Sequence, residues 1–520
     1  MGERTRRRLW ASLLLLAAVV LGATGVEAVE ANCGDDDRVD DQIVVELEPG
    51  ASIDAVLAGI PYDVAVIDSV PQYGLWLLGS LDPTVDVADV EAALESHPAV
   101  EDAERHRLLE TPEGVQRSIP DLGIAIDAAG YLGQEAFTLI RGPVAQQHFT
   151  GVGVTVAVLD TGVALQHELL AGRIVGPGAD FAGGNGTAAA QPNGLDDDGD
   201  GDVDESVHHG TFVAGLIRLI APGAFILPVR VLEEDGKGTA FGVAKGILYS
   251  VQNGADIINL SLGLAVESRA VNRAIEDAHD RGVVVVSAAG NRDLPCVDSP
   301  AVSSSTVGVA AVDASFVKAQ FSSYGSEVDL SAPAQELWST FGDEGFAAWS
   351  GTSFATPLVS GAVALLLEKY PGLSPDQVLD LLRATTQPDH NPVTLQDLMG
   401  NGVLDVGALT EVLTSDRTSL KARKVPAGSV LSWSPVLNAA SYDVVRGGVS
   451  GLASGEQEVF LGAVVCQEND LAVTEAADEA ALGAGGAWFY LFRDDAPDGG
   501  HYGSASNGNP RLPLSGDCPQ

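Results

Sequence analysis

The sequence predicts an α/β protein built on a parallel sheet, and two observations carry that expectation. Three apolar, β-branched runs show no polar alternation, as strands covered on both faces of a sheet must: Val152 to Leu159, Ala255 to Leu260 and Gly282 to Ala289. Apolar helical stretches follow, notably Phe212 to Ile220 and a helix from Ser353 to about Tyr370. A small α+β unit precedes this region and a β-rich segment follows it.

The strand ends and helix starts hold the chemistry. Asp160 ends the first run, and Thr161-Gly162 turns the chain. That edge of an open α/β sheet is where ligands and catalytic groups gather. His209 precedes Gly210-Thr211 at a helix start, and Ser353 opens the last helix. Pro357 is expected in its first turn, where a missing N–H costs little. A serine hydroxyl attacks a carbonyl only when a base takes its proton and a third group orients that base. Asp, His, Ser is one of the known chain orders for such a triad. Asn291 offers a side-chain amide for the oxyanion, and the Ser353 N–H at the helix start is the natural second donor. Singly, Asp160 reads as a turn residue, Asn291 as a loop cap and Ser353 as an N-cap. Together they read as a catalytic set. His208 is expected to be a partly exposed bystander.

The blocks VAVLDTGV, HGTFVAG, SAAGN and GTSFATP stand in the order and at the spacing of a known family. The chain resembles a subtilase, a subtilisin-like serine protease, from about residue 40 to 410. The resemblance implies a three-layer, subtilisin-like peptidase domain at 145–410. It also implies a serine endopeptidase that cuts protein or peptide substrates through an acyl-enzyme. A propeptide at 41–110 would act as an intramolecular inhibitor until cut away between about 110 and 150. By the same resemblance Ser261, Leu262 and Gly263 face Ala288, Ala289 and Gly290 as walls of the pocket for the residue before the scissile bond. Gly238 lies in the edge segment Gly236 to Ala240 that pairs with extended substrate backbone. Ala240 stands where many relatives carry an aromatic, and the expected preference is broad, for apolar or aromatic side chains. The rival reading, a non-catalytic surface or adhesion protein on the same scaffold, is opposed by the intact catalytic set.

With 520 residues the chain has room for about three domains. Its 28 Lys+Arg against 72 Asp+Glu give a net charge of −44, which disfavours nucleic acid and anionic membranes as partners. A basic start (Arg4, Arg6, Arg7, Arg8), the apolar stretch Leu9 to Leu21 and small-residue cleavage sites ending at Ala28 or Ala31 read as a signal peptide over 1–31. The protein is therefore expected to be secreted, and no membrane anchor is expected, because Ala31-Asn32 before Cys33 do not suit a lipobox. The α+β unit is read as strands Gln42 to Glu46 and Tyr73 to Leu78 with helices around Ile53 to Leu57 and Val87 to Glu95.

Between Asp160 and His209, Asp196, Asp198 and Asp200 take positions 1, 3 and 5 of a calcium-type loop, with Gly201 at the turn. Val207 replaces the EF-hand glutamate, so Asp204 or Glu205 would close the shell of a structural Ca2+. Thr414 to Pro426 reads as a linker, and residues 426–520 resemble a fibronectin type III-like β-sandwich, from LSWSPV, SYDVV and AWFYLFR. Cys466 and Cys518 are the expected disulfide, leaving Cys296 as an odd cysteine without a catalytic role.

Overall fold

The structure, a computed structural model, describes residues 37–414 apart from 83, 117, 119, 123–125, 177, 184–185, 197–198 and 396. Between 420 and 512 it describes strand segments alone. The signal segment and Cys33 lie outside the described residues, as does the packing of the expected C-terminal sandwich, where Tyr442–Gly448 pairs antiparallel with Val464–Leu471 and Trp488–Asp494.

Residues 38–110 form β1 (Arg38–Leu47), α1 (Ile53–Gly59), β2 (Val64–Val70), β3 (Leu75–Ser80), α2 (Val87–Glu95) and β4 (Val100–Glu110). The four strands make an antiparallel sheet in the order β2-β3-β1-β4. The sheet's inner face, with Ile43, Val45, Leu47 and Leu78, packs on Val56, Val90 and Leu94 of the helices. A helical turn, α3 (Pro112–Gln116), follows β4.

The central sheet uses β5 (Thr155–Asp160), β6 (Ala179–Asp180), β7 (Phe225–Arg230), β9 (Ile257–Leu260), β10 (Val284–Ala288), β11 (Thr306–Val312) and β12 (Leu330–Pro333). All neighbours are parallel, in the order β12-β11-β10-β9-β5-β7-β6. The missing alternation now has its cause. On β5, Val156 and Val158 enter one apolar core, while Ala157 and Leu159 enter the other. The first core holds α4 (His209–Ile220) and α7 (Thr352–Lys369), and the second holds α5 (Ala240–Gln252) and α6 (Arg269–Asp280). Strand β8 (Lys237–Thr239) and the hairpin β13 (Leu337–Phe341) and β14 (Gly345–Trp349) flank the sheet's C-terminal edge. The first strand starts at Thr155, three residues later than expected. Gly151 and Gly153 turn the chain at φ 79 and 85, leaving Val152 in solvent.

The N-terminal unit sits on the helices of the second core. Val44, Val70, Leu75 and Leu77 join that core. Buried Glu104 accepts from the Arg269 and Ala270 N–H groups, both 3.0 Å, and from Ser268 Oγ at 2.7 Å, capping α6 across the interface. The His106 ring accepts from Phe241 N–H at the start of α5, 3.3 Å. Arg273 pairs with Glu46 and Glu101.

Pro357 corrects the sequence-based expectation. With α7 starting at Thr352, it is the sixth helical residue, inside the helix. Its missing N–H would have bonded the Ser353 carbonyl. The Ser261 hydroxyl donates to that carbonyl instead, at 2.7 Å, so a break in the helix ladder is repaired from the end of β9.

Candidate active site

Asp160 closes β5, His209 opens α4, Ser353 is the second residue of α7, and Asn291 follows β10 through Ala289 and Gly290. The Gly290 φ of 100 is a conformation that favours glycine. The sheet edge brings these four side chains together. Asp160 Oδ1 accepts from His209 Nδ1 at 2.8 Å and from Thr161 N–H at 2.8 Å. Asn291 Oδ1 accepts from Thr352 N–H and Thr352 Oγ1, both 2.9 Å, which fixes the orientation of its NH2 group. His208 is partly exposed, its ring edge-on to Phe341.

A residue that no sequence motif marks completes the site. The Glu113 side chain, 1 % exposed, enters from α3. Its Oε2 accepts from Ser353 Oγ at 2.6 Å and from His209 Nε2 at 3.1 Å. Its Oε1 accepts from Asn291 Nδ2 at 2.9 Å. Gly351 makes room: a Cβ there would stand 1.6 Å from Glu113 Oε1. Burial alone would pull the His209 imidazolium down, but Asp160 and then Glu113 overcome it and lift the pKa to about 10. Glu113 thus favours the protonated imidazole, a form that has no free nitrogen to accept a proton from Ser353.

The chain around Glu113 spans the whole cleft. Leu108, Leu109 and Glu110 pair antiparallel with Thr239, Gly238 and Lys237. On the other side Glu110 exchanges both backbone hydrogen bonds with Gly263, at 3.3 and 3.0 Å. Thr111 N–H reaches Gly236 O at 3.0 Å. The backbone then curls into α3 instead of passing extended over Ser353. Beyond it, Asp121 exchanges backbone hydrogen bonds with Ala348, at 2.8 and 3.1 Å. Leu109 shares the apolar core with Ala240 and Leu262. Ser261 O accepts from Ser353 Oγ at 3.3 Å, and Ala288, Ala289 and Gly290 are buried opposite.

The acidic loop is assembled differently from the catalytic set. Asp196 accepts from the N–H groups of Gly199, Asp200 and Gly201, and Asp204 from those of Asn193 and Gly194. Asp200 accepts from Asp202 N–H. Asp198 lies outside the described residues. Among the described residues no group of three or more His, Cys, Asp or Glu is placed to hold a metal ion. Cys296 is disulfide-bonded, which corrects its expected odd status. The side chains of Cys33, Cys466 and Cys518 all lie outside those described, so its partner does too. No helix among the described residues is long and apolar enough to cross a membrane.

The model of the subtilase family matches residues 151–402. Subtilisin DY of Bacillus licheniformis is 36% identical over 255 residues, covering 46% of this chain and 86% of its own. Thermitase of Thermoactinomyces vulgaris is 40% identical over 237 residues, covering 44% of this chain and 79% of its own. A solved structure of proteases from Pseudoalteromonas arctica aligns with 53% of this chain and 94% of its own at 29% identity, with a TM-score of 0.49.

Proposed function

The chain belongs to the subtilase family of subtilisin-like serine proteases, and we propose that it is a secreted endopeptidase working through Asp160, His209 and Ser353. The observation that carries this reading is the convergence of Ser353 Oγ, His209 Nε2 and Asn291 Nδ2 on one carboxylate. Those donors surround the place where a carbonyl would turn into an oxyanion. When a substrate carbonyl replaces Glu113, His209 loses that anionic partner, its pKa falls, and the neutral imidazole takes the Ser353 proton. Ser353 attacks, Asn291 and the Ser353 N–H hold the oxyanion, and His209 protonates the leaving amine. Water then releases the acyl group by the same steps. Asp160 keeps the imidazole in orientation throughout.

The second part of the proposal is that residues 41–110, with Glu113 just after them, are the chain's own inhibitor and that Ser353 cuts them from the rest. Support comes from the paired strand 108–110 in the cleft and from Glu113 on the catalytic groups. A structural Ca2+ on the Asp196–Asp204 loop is the third part. Asp196 gathers three successive amides, which curls the loop around its carboxylate as a cation-binding turn requires. Asp196, Asp198, Asp200 and Asp204 would hold the ion, whose role is to neutralise the crowded carboxylates.

A fluorophosphonate probe tests the catalytic reading. The secreted protein should be labelled at Ser353 and lose peptide hydrolysis in proportion, whereas Ser353→Ala should take no label. Full activity in Ser353→Ala would discard the reading.

A further inference from the structure

The two walls of the pocket beside Ser353 meet at a buried carboxylate. Asp298 N–H donates to Ala289 O at 3.0 Å, and Ser299 exchanges backbone hydrogen bonds with Leu264, at 2.9 and 2.7 Å. The segment 298–299 thus ties the Ser261–Gly263 wall to the Ala288–Gly290 wall. The carboxylate lies against the glycine of each. A Cβ on Gly290 would stand 2.3 Å from Asp298 Oδ2, and one on Gly263 would stand 3.2 Å from it. The pocket opens on the reacting groups, since Ser353 Oγ touches Ser261 O and Asn291 directly follows Gly290.

Asp298 is 2 % exposed, yet its charge is poorly compensated. Its described partner is Arg292, whose Nε donates to Oδ1 at 3.3 Å, a single contact instead of a two-pronged pair. That contact reaches Oδ1, while Oδ2 faces the glycines. Burial lifts the carboxyl to about 6, Arg292 offsets only part of that, and nearby Glu110 adds repulsion. A buried carboxylate in this state gains most from a second cation. The missing Cβ atoms at 263 and 290 make room for the Asp298 carboxylate between the two segments, next to Ser261 and Asn291.

We propose that Asp298 is a specificity-determining residue, and that the enzyme prefers lysine or arginine immediately before the bond it cuts. The inference rests on the proposed catalytic role of Ser353 and replaces the expected apolar or aromatic preference. The cation of such a residue meets the Asp298 carboxylate, and its stem runs from there toward Ser353 along the Ser261–Gly263 and Ala288–Gly290 segments.

The test uses secreted enzyme, its active sites counted with fluorophosphonate, and peptides that differ only in Lys, Arg, Leu or Glu before the scissile bond. The parent should favour Lys and Arg over Leu in kcat/KM by about 10–100-fold. Asp298→Asn should abolish that preference while kcat/KM for the Leu peptide stays within about threefold. Asp298→Glu should retain a basic preference, which separates lost charge from a damaged fold. An active parent that prefers Leu, or a basic preference untouched in Asp298→Asn, would overturn the inference while leaving the catalytic reading intact. A parent that neither cuts any peptide nor takes the label would overturn both.

Discussion

Ser353 Oγ lies 2.6 Å from Glu113 Oε2, although 240 residues separate them in sequence. The proposed nucleophile is hydrogen-bonded to a carboxylate of the same chain, and Asn291, the proposed oxyanion donor, holds the other oxygen of that group. The site is therefore filled from within by a group that resembles the product of the reaction it performs.

Removing that carboxylate should open the site. Glu113→Ala deletes three hydrogen bonds, two of them to groups that hold or develop charge, each worth about 1.5–3 kcal/mol at most. Fluorophosphonate labelling of the uncut precursor band should accelerate by about 10–100-fold, the partial loss expected because the 108–111 strand stays paired. Labelling at the parental rate would show that the strand alone closes the cleft.

The proposed self-cleavage requires the same serine. Ser353→Ala should be secreted uncut, whereas the parent should lose its 41–110 unit together with the residues up to the cut. If the basic preference argued from Asp298 holds, the cut should follow Arg117 or Arg141, which by sequence are the Lys or Arg choices between 111 and 150. Arg141 is held by Asp405 at 2.7 Å and by Glu411 at 2.8 Å. N-terminal sequencing is therefore expected to give Ser118 first. Normal processing of Ser353→Ala, expressed without other proteases, would remove self-cleavage from the account.

Two histidines set the pH range of the inhibited form. His209 is raised from 6.5 to about 10, so its contribution is full below 6.5 and is lost as pH rises through about 10. His106 is lowered to about 4 by burial, so its contribution is full above 6.5 and is lost as pH falls through about 4. The uncut Ser353→Ala precursor should lose Tm on both sides of neutrality. His106→Gln should flatten the acid side alone, and an unchanged acid limb in that variant would contradict the assignment.

Calcium on the Asp196–Asp204 loop would bind the folded state and stabilise it by mass action. A chelator should lower Tm and speed autolysis, and Asp198→Ala with Asp200→Ala should do the same without chelator. A melting curve indifferent to both would eliminate the metal.

The sheet and the meeting of Asp160, His209, Asn291 and Ser353 at its edge were legible because each is written locally: a buried parallel strand needs an unbroken apolar run, and the four residues stand at strand ends and helix starts. Glu113 was not legible. It sits in an unremarkable P-E-G stretch, and its role comes from a strand pairing of β4 with β8 that joins residues far apart in sequence. Asp298 was hidden for a similar reason, since only the folded loop brings it against Gly263 and Gly290. The Pro357 repair by Ser261 depends on a contact between elements 92 residues apart. Cys296 could not be assigned by counting cysteines, because pairing is set by the fold.

The most direct measurement is the kinetics of Asn291→Ala on a soluble peptide. In the proposed mechanism its amide faces the oxyanion, and it should bind the transition state more tightly than the substrate. The expected result is a fall in kcat of about 10²–10³ with KM nearly unchanged. A rise in KM at constant kcat would mean that Asn291 only holds substrate, and would contradict the site described above.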